Sequence, residues 1–140
     1  MTTQAIKQKF LALRNGVIAD TLRQAGMPYK VIFGLNIPQL AEIARGVTVD
    51  REVLAEQLWG DRDVRESRLL ACWLFDPAPM PELRARSLME DVQTREEADI
   101  LAFRLLRRLP YAARLAEEMA ADPRKLTAYA AEALARNLQG

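Results

Sequence analysis

Nothing in this chain alternates between apolar and polar residues with period 2 for long. Apolar side chains recur instead at three- and four-residue spacing almost from end to end. That spacing places them on one face of a helix and leaves no half-buried strand to build a sheet, so the expected fold class is all-α. The helical pattern is interrupted by glycine, proline and Asx residues at short intervals. Gly26 and Pro28 end a first predicted helix of residues 3–25, which turns Ile6, Phe10, Leu13, Val17 and Leu22 inward. Tyr29 and Phe33, in the following loop, are expected to pack beneath it. Asn36 caps a short second helix that has Pro38 in its first turn and ends at Gly46. Asp50 is read as the cap of a third helix reaching Trp59, and Asp61 as the cap of a fourth over residues 62–75. A compact break, D-P-A-P-M-P, precedes a fifth helix over 81–91, and further helices are predicted over 94–110, 111–121 and 124–138.

Eight amphipathic helices with short breaks suggest stacked antiparallel pairs. The pairs recur roughly every 35–40 residues, near the period of HEAT-type repeats. The pattern therefore reads as one domain, residues 1–140, built as an α-solenoid of about four degenerate repeats. A compact, non-repetitive helical bundle is the alternative.

Two helices carry carboxylates where the pattern calls for apolar side chains. In the fourth helix, apolar on nearly all sides around Leu69–Phe75 and hence expected to be the most buried, Glu66 lies on the side of Leu69, Leu70 and Trp73. The structural explanation is that Glu66 satisfies a helix terminus or a nearby arginine. The second case is T-R-E-E-A-D-I-L-A-F-R-L-L-R-R-L-P, residues 94–110. Thr94 followed three residues later by Glu97 has the form of a capping box, and Pro110 is the expected stop. Ala98, Leu101, Ala102, Leu105, Leu106 and Leu109 fall on one face, with Glu96, Glu97, Arg104, Arg107 and Arg108 on the other. Asp99 sits within the apolar arc, between the directions of Leu106 and Phe103. A carboxylate at the edge of a core needs a partner or a task. The nearest partner by spacing is Arg95, one turn earlier.

Composition narrows the chemistry. The chain has no histidine and a single cysteine, Cys72, in the run L-L-A-C-W-L-F. Histidine-dependent triads, His-based metal sites and Cys₄ or Cys₂His₂ zinc sites are thereby removed, and Cys72 reads as a core thiol. No glycine-rich phosphate loop is present, and nothing points to a cofactor or a metal. No apolar run approaches the roughly 20 residues of a membrane span, and M-T-T-Q-A-I-K-Q-K-F lacks the apolar block of a signal peptide, so a cytoplasmic location is expected. The formal net charge is +1, too small for a protein that is basic throughout. The charge is unevenly spread: residues 51–100 hold seven basic and twelve acidic groups, residues 101–140 seven and four. Arg104, Arg107, Arg108 and Arg114 occur with no acid between them. Such a patch can contact phosphate, and it also suits a helix C-terminus, where cations complement the dipole.

Four stretches carry a resemblance: I-F-G-L-N-I-P-Q-L-A-E-I-A, L-W-G-D-R-D-V-R-E-S-R-L-L-A-C-W-L-F-D-P, M-E-D-V-Q-T-R-E-E-A-D and L-L-R-R-L-P-Y-A. In this order and spacing, from about residue 30 to about residue 135, the chain resembles the DNA alkylation repair enzyme family of HEAT-like-repeat, AlkD-type DNA glycosylases. The resemblance implies a right-handed superhelix of antiparallel helix pairs with a concave DNA-binding face. It further implies excision of positively charged alkylpurines from duplex DNA, with an aspartate stabilising the developing cationic sugar, aromatic residues beside it and basic residues on the phosphates. The family aspartate matches Asp99. Three features depart from the family pattern. Arg95 stands where the family has a tryptophan, Tyr129 lies in L-T-A-Y-A-A where a family helix carries lysine and arginine, and typical members continue well beyond the point matching Gly140. The resemblance therefore implies a retained scaffold with an altered or lost glycosylase site, acting as a module that binds nucleic acid or protein. Two alternatives stand beside it. One is an active alkylpurine glycosylase with Asp99 as the electrostatic catalyst and Arg104, Arg107, Arg108 or Arg114 on phosphates. The other is a structural protein that self-associates through its C-terminal helix.

Overall fold

A computed structural model describes residues 1–139 of the chain, and the regular secondary structure of those residues is helical apart from one isolated parallel bridge between Val31 and Val64. The nine α-helices are α1 (Thr3–Ala12), α2 (Gly16–Gln24), α3 (Ile37–Arg45), α4 (Arg51–Gly60), α5 (Arg65–Leu74), α6 (Glu82–Glu90), α7 (Arg95–Arg104), α8 (Ala112–Met119) and α9 (Lys125–Gln139). They fall into two compact units, Met1–Phe75 with α1–α5 and, from Asp76 onward, α6–α9.

In the first unit the predicted helix over residues 3–25 is two helices. Asn15 divides them. Its Oδ1 accepts from the Val17 and Ile18 amides at 3.0 and 3.1 Å, and its own N–H donates to the Phe33 carbonyl at 2.8 Å. An Asx side chain that can bond the backbone locally offers the chain a new helix start in place of continuation. The change of direction leaves Val17 78% exposed and Leu13 on the surface, against the expected inward placement, whereas Ile6 and Phe10 are fully buried. Tyr29 is buried and Phe33 stacks obliquely on Phe10 with ring centroids 5.7 Å apart, as expected. Gly34 passes so close to α2 that a Cβ would lie 2.2 Å from the Asn15 carbonyl oxygen, and its φ of +89° favours glycine as well.

The α3 boundaries follow the sequence. Asn36 and Gln39 form a reciprocal capping box, Pro38 occupies the first turn, and Gly46 is the C-cap. α4 also starts after Asp50, but neither Asp50 nor Asp61 caps the next helix through its side chain. Asp50 precedes α4 with a left-handed backbone (φ 56°) and makes no side-chain cap. Asp61 does not cap α5 but ends α4: its side chain receives Lys7 Nζ at 2.9 Å and the Ser67 hydroxyl at 2.7 Å, and α5 begins only after Val64. Asp61 is used for tertiary contacts that periodicity cannot reveal. Arg51 donates to the Ala44 carbonyl in the last turn of α3, to the Val47 carbonyl just beyond it and to the Trp73 carbonyl near the end of α5, supplying donors that helix C-termini lack.

α5 is the most buried element, as predicted: nine of its ten residues are inside, and Trp73, expected among the core, is the half-buried exception. Cys72 is buried, its thiol 3.6 Å from the Arg68 carbonyl oxygen. Arg68 is fully buried, its guanidinium 3.5 Å from the centroid of the Trp59 ring while Nη1 donates to the Trp59 carbonyl at 2.7 Å.

In the second unit α9 packs against α6, α7 and α8. Its alanines Ala130, Ala131 and Ala133 are buried, and their small side chains let neighbouring helices approach closely. The helix predicted over residues 94–110 is shorter: α7 ends at Arg104, Leu105 leaves helical geometry (φ −123°, ψ −62°), and Leu106–Arg108 form a 3₁₀ turn. This tightening brings Leu105, Leu106 and Leu109 all into the core. Thr94 caps α7 through the Glu97 amide, 3.1 Å away. Glu97, expected on the solvent face, is fully buried, and its carboxylate receives the Gln93 amide at 2.9 Å in place of the Thr94 amide of a full capping box.

Candidate functional site

The two carboxylates singled out by periodicity have different environments. Glu66, with no accessible surface, accepts from the amides of Phe33 and Gly34 at 2.9 and 3.0 Å and from Arg65 Nη1 at 2.6 Å. Arg65 Nη1 also donates to the Leu35 carbonyl at 3.0 Å. Glu66 thus binds an arginine and a loop backbone, as its position suggested, and nothing about it is open to a ligand.

Asp99 lies one turn after Arg95 on α7 and keeps half of its side-chain surface. Its partner is not Arg95. Both carboxylate oxygens lie within hydrogen-bond distance of the Tyr129 hydroxyl on α9, at 2.9 and 3.2 Å, and Arg136 Nη2 lies 3.7 Å away. Arg95 instead places its guanidinium 5.0 Å from the centroid of the Tyr129 ring, and Arg136 lies 5.6 Å from the same ring. Tyr129 is therefore the hub: its hydroxyl holds the carboxylate and its π-system attracts two cations. Donation to Asp99, together with desolvation and the nearby negative charge, raises the Tyr129 pKa above its ordinary value of 10.0, with Arg136 acting in the opposite direction. Tyr129 and Arg136 are seven residues apart, two turns along one face of α9, so their pairing is a helical relationship. That α9 faces Asp99 is a tertiary fact, and it is why sequence reasoning paired Asp99 with the neighbour on its own helix.

Arg95, Asp99 and Phe103 follow at four-residue spacing along α7, a stripe about 12 Å long. Phe103 is 47% exposed. Arg107 Nε donates to the Phe103 carbonyl at 2.6 Å, and its guanidinium carbon sits 4.2 Å from the centroid of the Phe103 ring. The expected basic group is divided. Arg114 is ion-paired with Glu82 and so is partly neutralised. Arg104, half-buried, has its pKa lowered first by desolvation and then by the charges of Arg108 and Arg107. Arg107 and Arg108 are exposed and have no carboxylate partner among the described residues. Other surface arginines of this unit are matched: Arg86 with Glu82 and Glu118, Arg124 with Glu90 and Asp122. Positive charge without a carboxylate partner among the described residues therefore includes the turn that follows α7.

Among the described residues there is no cluster of acidic, cysteine or histidine side chains able to hold a metal ion, and no helix is long and apolar enough to cross a membrane. The arrangement offers electrostatics: one half-exposed carboxylate, two arginines on the tyrosine that holds it, and an aromatic residue beside further arginines.

No curated protein gives a significant match to the chain. A solved structure is similar with a TM-score of 0.88 at 20% identity, over 100% of this chain and 58% of the other. It is described as a new family of proteins related to the HEAT-like repeat DNA glycosylases with affinity for branched DNA structures. The likeness assigns the HEAT-like helical fold, and this chain spans little more than half the length of that relative. The sequence pattern of the family described as DNA alkylation repair enzyme matches residues 6–134. Nearly the whole sequence is thus accounted for by one family pattern, and the chain belongs to the DNA alkylation repair enzyme family.

Proposed function

We propose that this protein binds the phosphate backbone of DNA through the exposed arginines of its second unit, and that the site around Asp99 serves binding rather than base excision. One observation carries the reading: two guanidinium groups, Arg95 and Arg136, lie against the ring of Tyr129, whose hydroxyl already engages both oxygens of a single carboxylate, Asp99. An alkylated purine and an oxocarbenium-like sugar are cationic and are repelled by this surplus positive charge. A phosphate is attracted by it. Arg107 and Arg108 extend the same preference into the turn after α7. The affinity of the structural relative for branched DNA supports DNA as the ligand class.

Binding of a fluorescently labelled four-way junction and of a matched duplex, followed by anisotropy over a series of salt concentrations, tests the reading. Affinity should fall steeply with salt. Arg95→Ala and Arg136→Ala should each flatten the slope of log K against log salt by about one unit. Binding that is indifferent to salt, or unchanged in both variants, would overturn it.

The half-exposure of Asp99 favours a second reading, alkylpurine excision with Asp99 stabilising the cationic transition state. Release of 7-methylguanine and 3-methyladenine from alkylated duplex DNA decides it. Excision by the wild type, lost in Asp99→Asn, would establish that activity; absence of release from both proteins, each folded by circular dichroism, would leave the binding reading.

A further inference from the structure

A phenylalanine that keeps 47% of its surface in water needs an explanation, especially when the leucines around it are fully buried. Phe103 lies in the last turn of α7, on the face that carries Asp99 and Arg95. It is covered by Arg107, whose guanidinium lies 4.2 Å from the ring centroid and is anchored through Nε to the Phe103 carbonyl. Two planar groups are thus layered at the surface, an aromatic ring below and a guanidinium above, with Arg107 exposed to solvent. Arg108 is exposed beside it, and neither arginine is neutralised by a carboxylate among the described residues.

Unstacked nucleobases are recognised by such layers. A base has a π-face whatever its identity, it stacks on aromatic rings or guanidinium planes, and the phosphates on either side of it need nearby cations. A base paired within a duplex keeps its faces covered by its neighbours and gains nothing from the platform. We propose that Phe103 and Arg107 form a stacking platform for a single unpaired nucleobase, with Arg108 neutralising a flanking phosphate, so that the protein favours DNA at a fork or branch over continuous duplex. This inference rests on the DNA-binding reading above and adds to it the feature of DNA that is selected.

The test uses the full chain with three labelled probes: a continuous duplex, the same duplex ending in a fork of unpaired strands, and the single strand. Phe103→Leu keeps apolar bulk and removes the ring; Arg107→Lys keeps the charge and removes the plane. The wild type should bind fork and single strand more tightly than duplex. Each variant should lose about tenfold on the fork and single strand, and Phe103→Leu, which touches no charge, should leave duplex affinity and salt slope unchanged. A merely protective role for Arg107 over Phe103 would alter thermal stability and leave the preference for unpaired DNA in place. Phe103→Trp should retain affinity and add a tryptophan whose emission is quenched by the fork and not by the duplex. The stacking proposal is overturned if the wild type has no preference for unpaired DNA, or if Phe103→Leu and Arg107→Lys both preserve it. In those outcomes salt-dependent duplex binding still supports the DNA-binding reading, whereas absence of binding to all three probes defeats both.

Discussion

Glu66 and Asp99 look alike in the sequence: each is a carboxylate on the apolar side of a helix, each within four residues of an arginine. In the folded protein they share little. Glu66 has no exposed surface and is held by two backbone amides and Arg65. Asp99 is half exposed and held by a tyrosine hydroxyl, with an arginine at 3.7 Å. A buried charge tolerates no loss of partners, because an uncompensated charge inside a protein is costly. An exposed charge is screened by water and contributes little to stability, so its environment is free to serve binding. Periodicity detects both residues; burial tells them apart.

Substitutions that break this contrast should differ widely in effect. Glu66→Ala leaves Arg65 buried without its carboxylate and orphans the Phe33 and Gly34 amides, and we expect a loss of about 3–5 kcal/mol, seen as a fall in Tm of roughly 10 °C or more. A near-neutral melt would mean that the clamp is not what holds the loop. Gly34→Ala acts on the same loop from its other side. The new methyl meets the Asn15 carbonyl and the residue keeps a positive φ, so a cost of at least about 1–3 kcal/mol is expected by chemical denaturation. Asp99→Asn should change stability by less than about 1 kcal/mol, while DNA affinity rises, because a negative charge is removed beside Arg136. A large destabilisation would place Asp99 with Glu66 as a structural residue.

The smallest effect sharpens the comparison through pH. The Tyr129 pKa is raised above 10.0 because the neutral hydroxyl donates to Asp99. A group whose pKa is higher in the folded state stabilises the fold fully below its unfolded pKa, and that contribution disappears as pH rises through the folded value. The contribution of Tyr129 should therefore be constant through neutral pH and fade only above about pH 10. Ultraviolet titration of the tyrosinates should place one ionisation lower in Asp99→Asn than in the wild type. An unchanged titration curve would remove the Tyr129–Asp99 bond from the account.

Much of the scaffold was legible because helix periodicity and caps act locally. Asn36, Pro38 and Gly46 delimit α3, Thr94 starts α7, and α5 is the most buried helix. Where the reading failed, a tertiary contact had taken over a local signal. Asn15 binds the Phe33 carbonyl and splits a helix, and the Asp61 side chain serves Lys7 and Ser67 and does not cap α5. The candidate site was legible in part. Asp99 stood out as an anomaly and through the family resemblance, and Arg107 and Arg108 as a basic run. Tyr129 appeared only as a departure from the family pattern, and Arg136 carried no signal of its own, since both acquire their roles from the packing of α9 on α7.

Arg51 gives the first unit a different kind of property. Its guanidinium bonds two carbonyls at the end of α3, those of Ala44 and Val47, and one near the end of α5. Ends of helices fray first, each on its own, when their last carbonyls have only water for partners. Tied to one side chain, these two ends can loosen only together. A single arginine thereby turns two independent local openings into one cooperative event and raises the free energy of the least stable excursions available to this part of the chain.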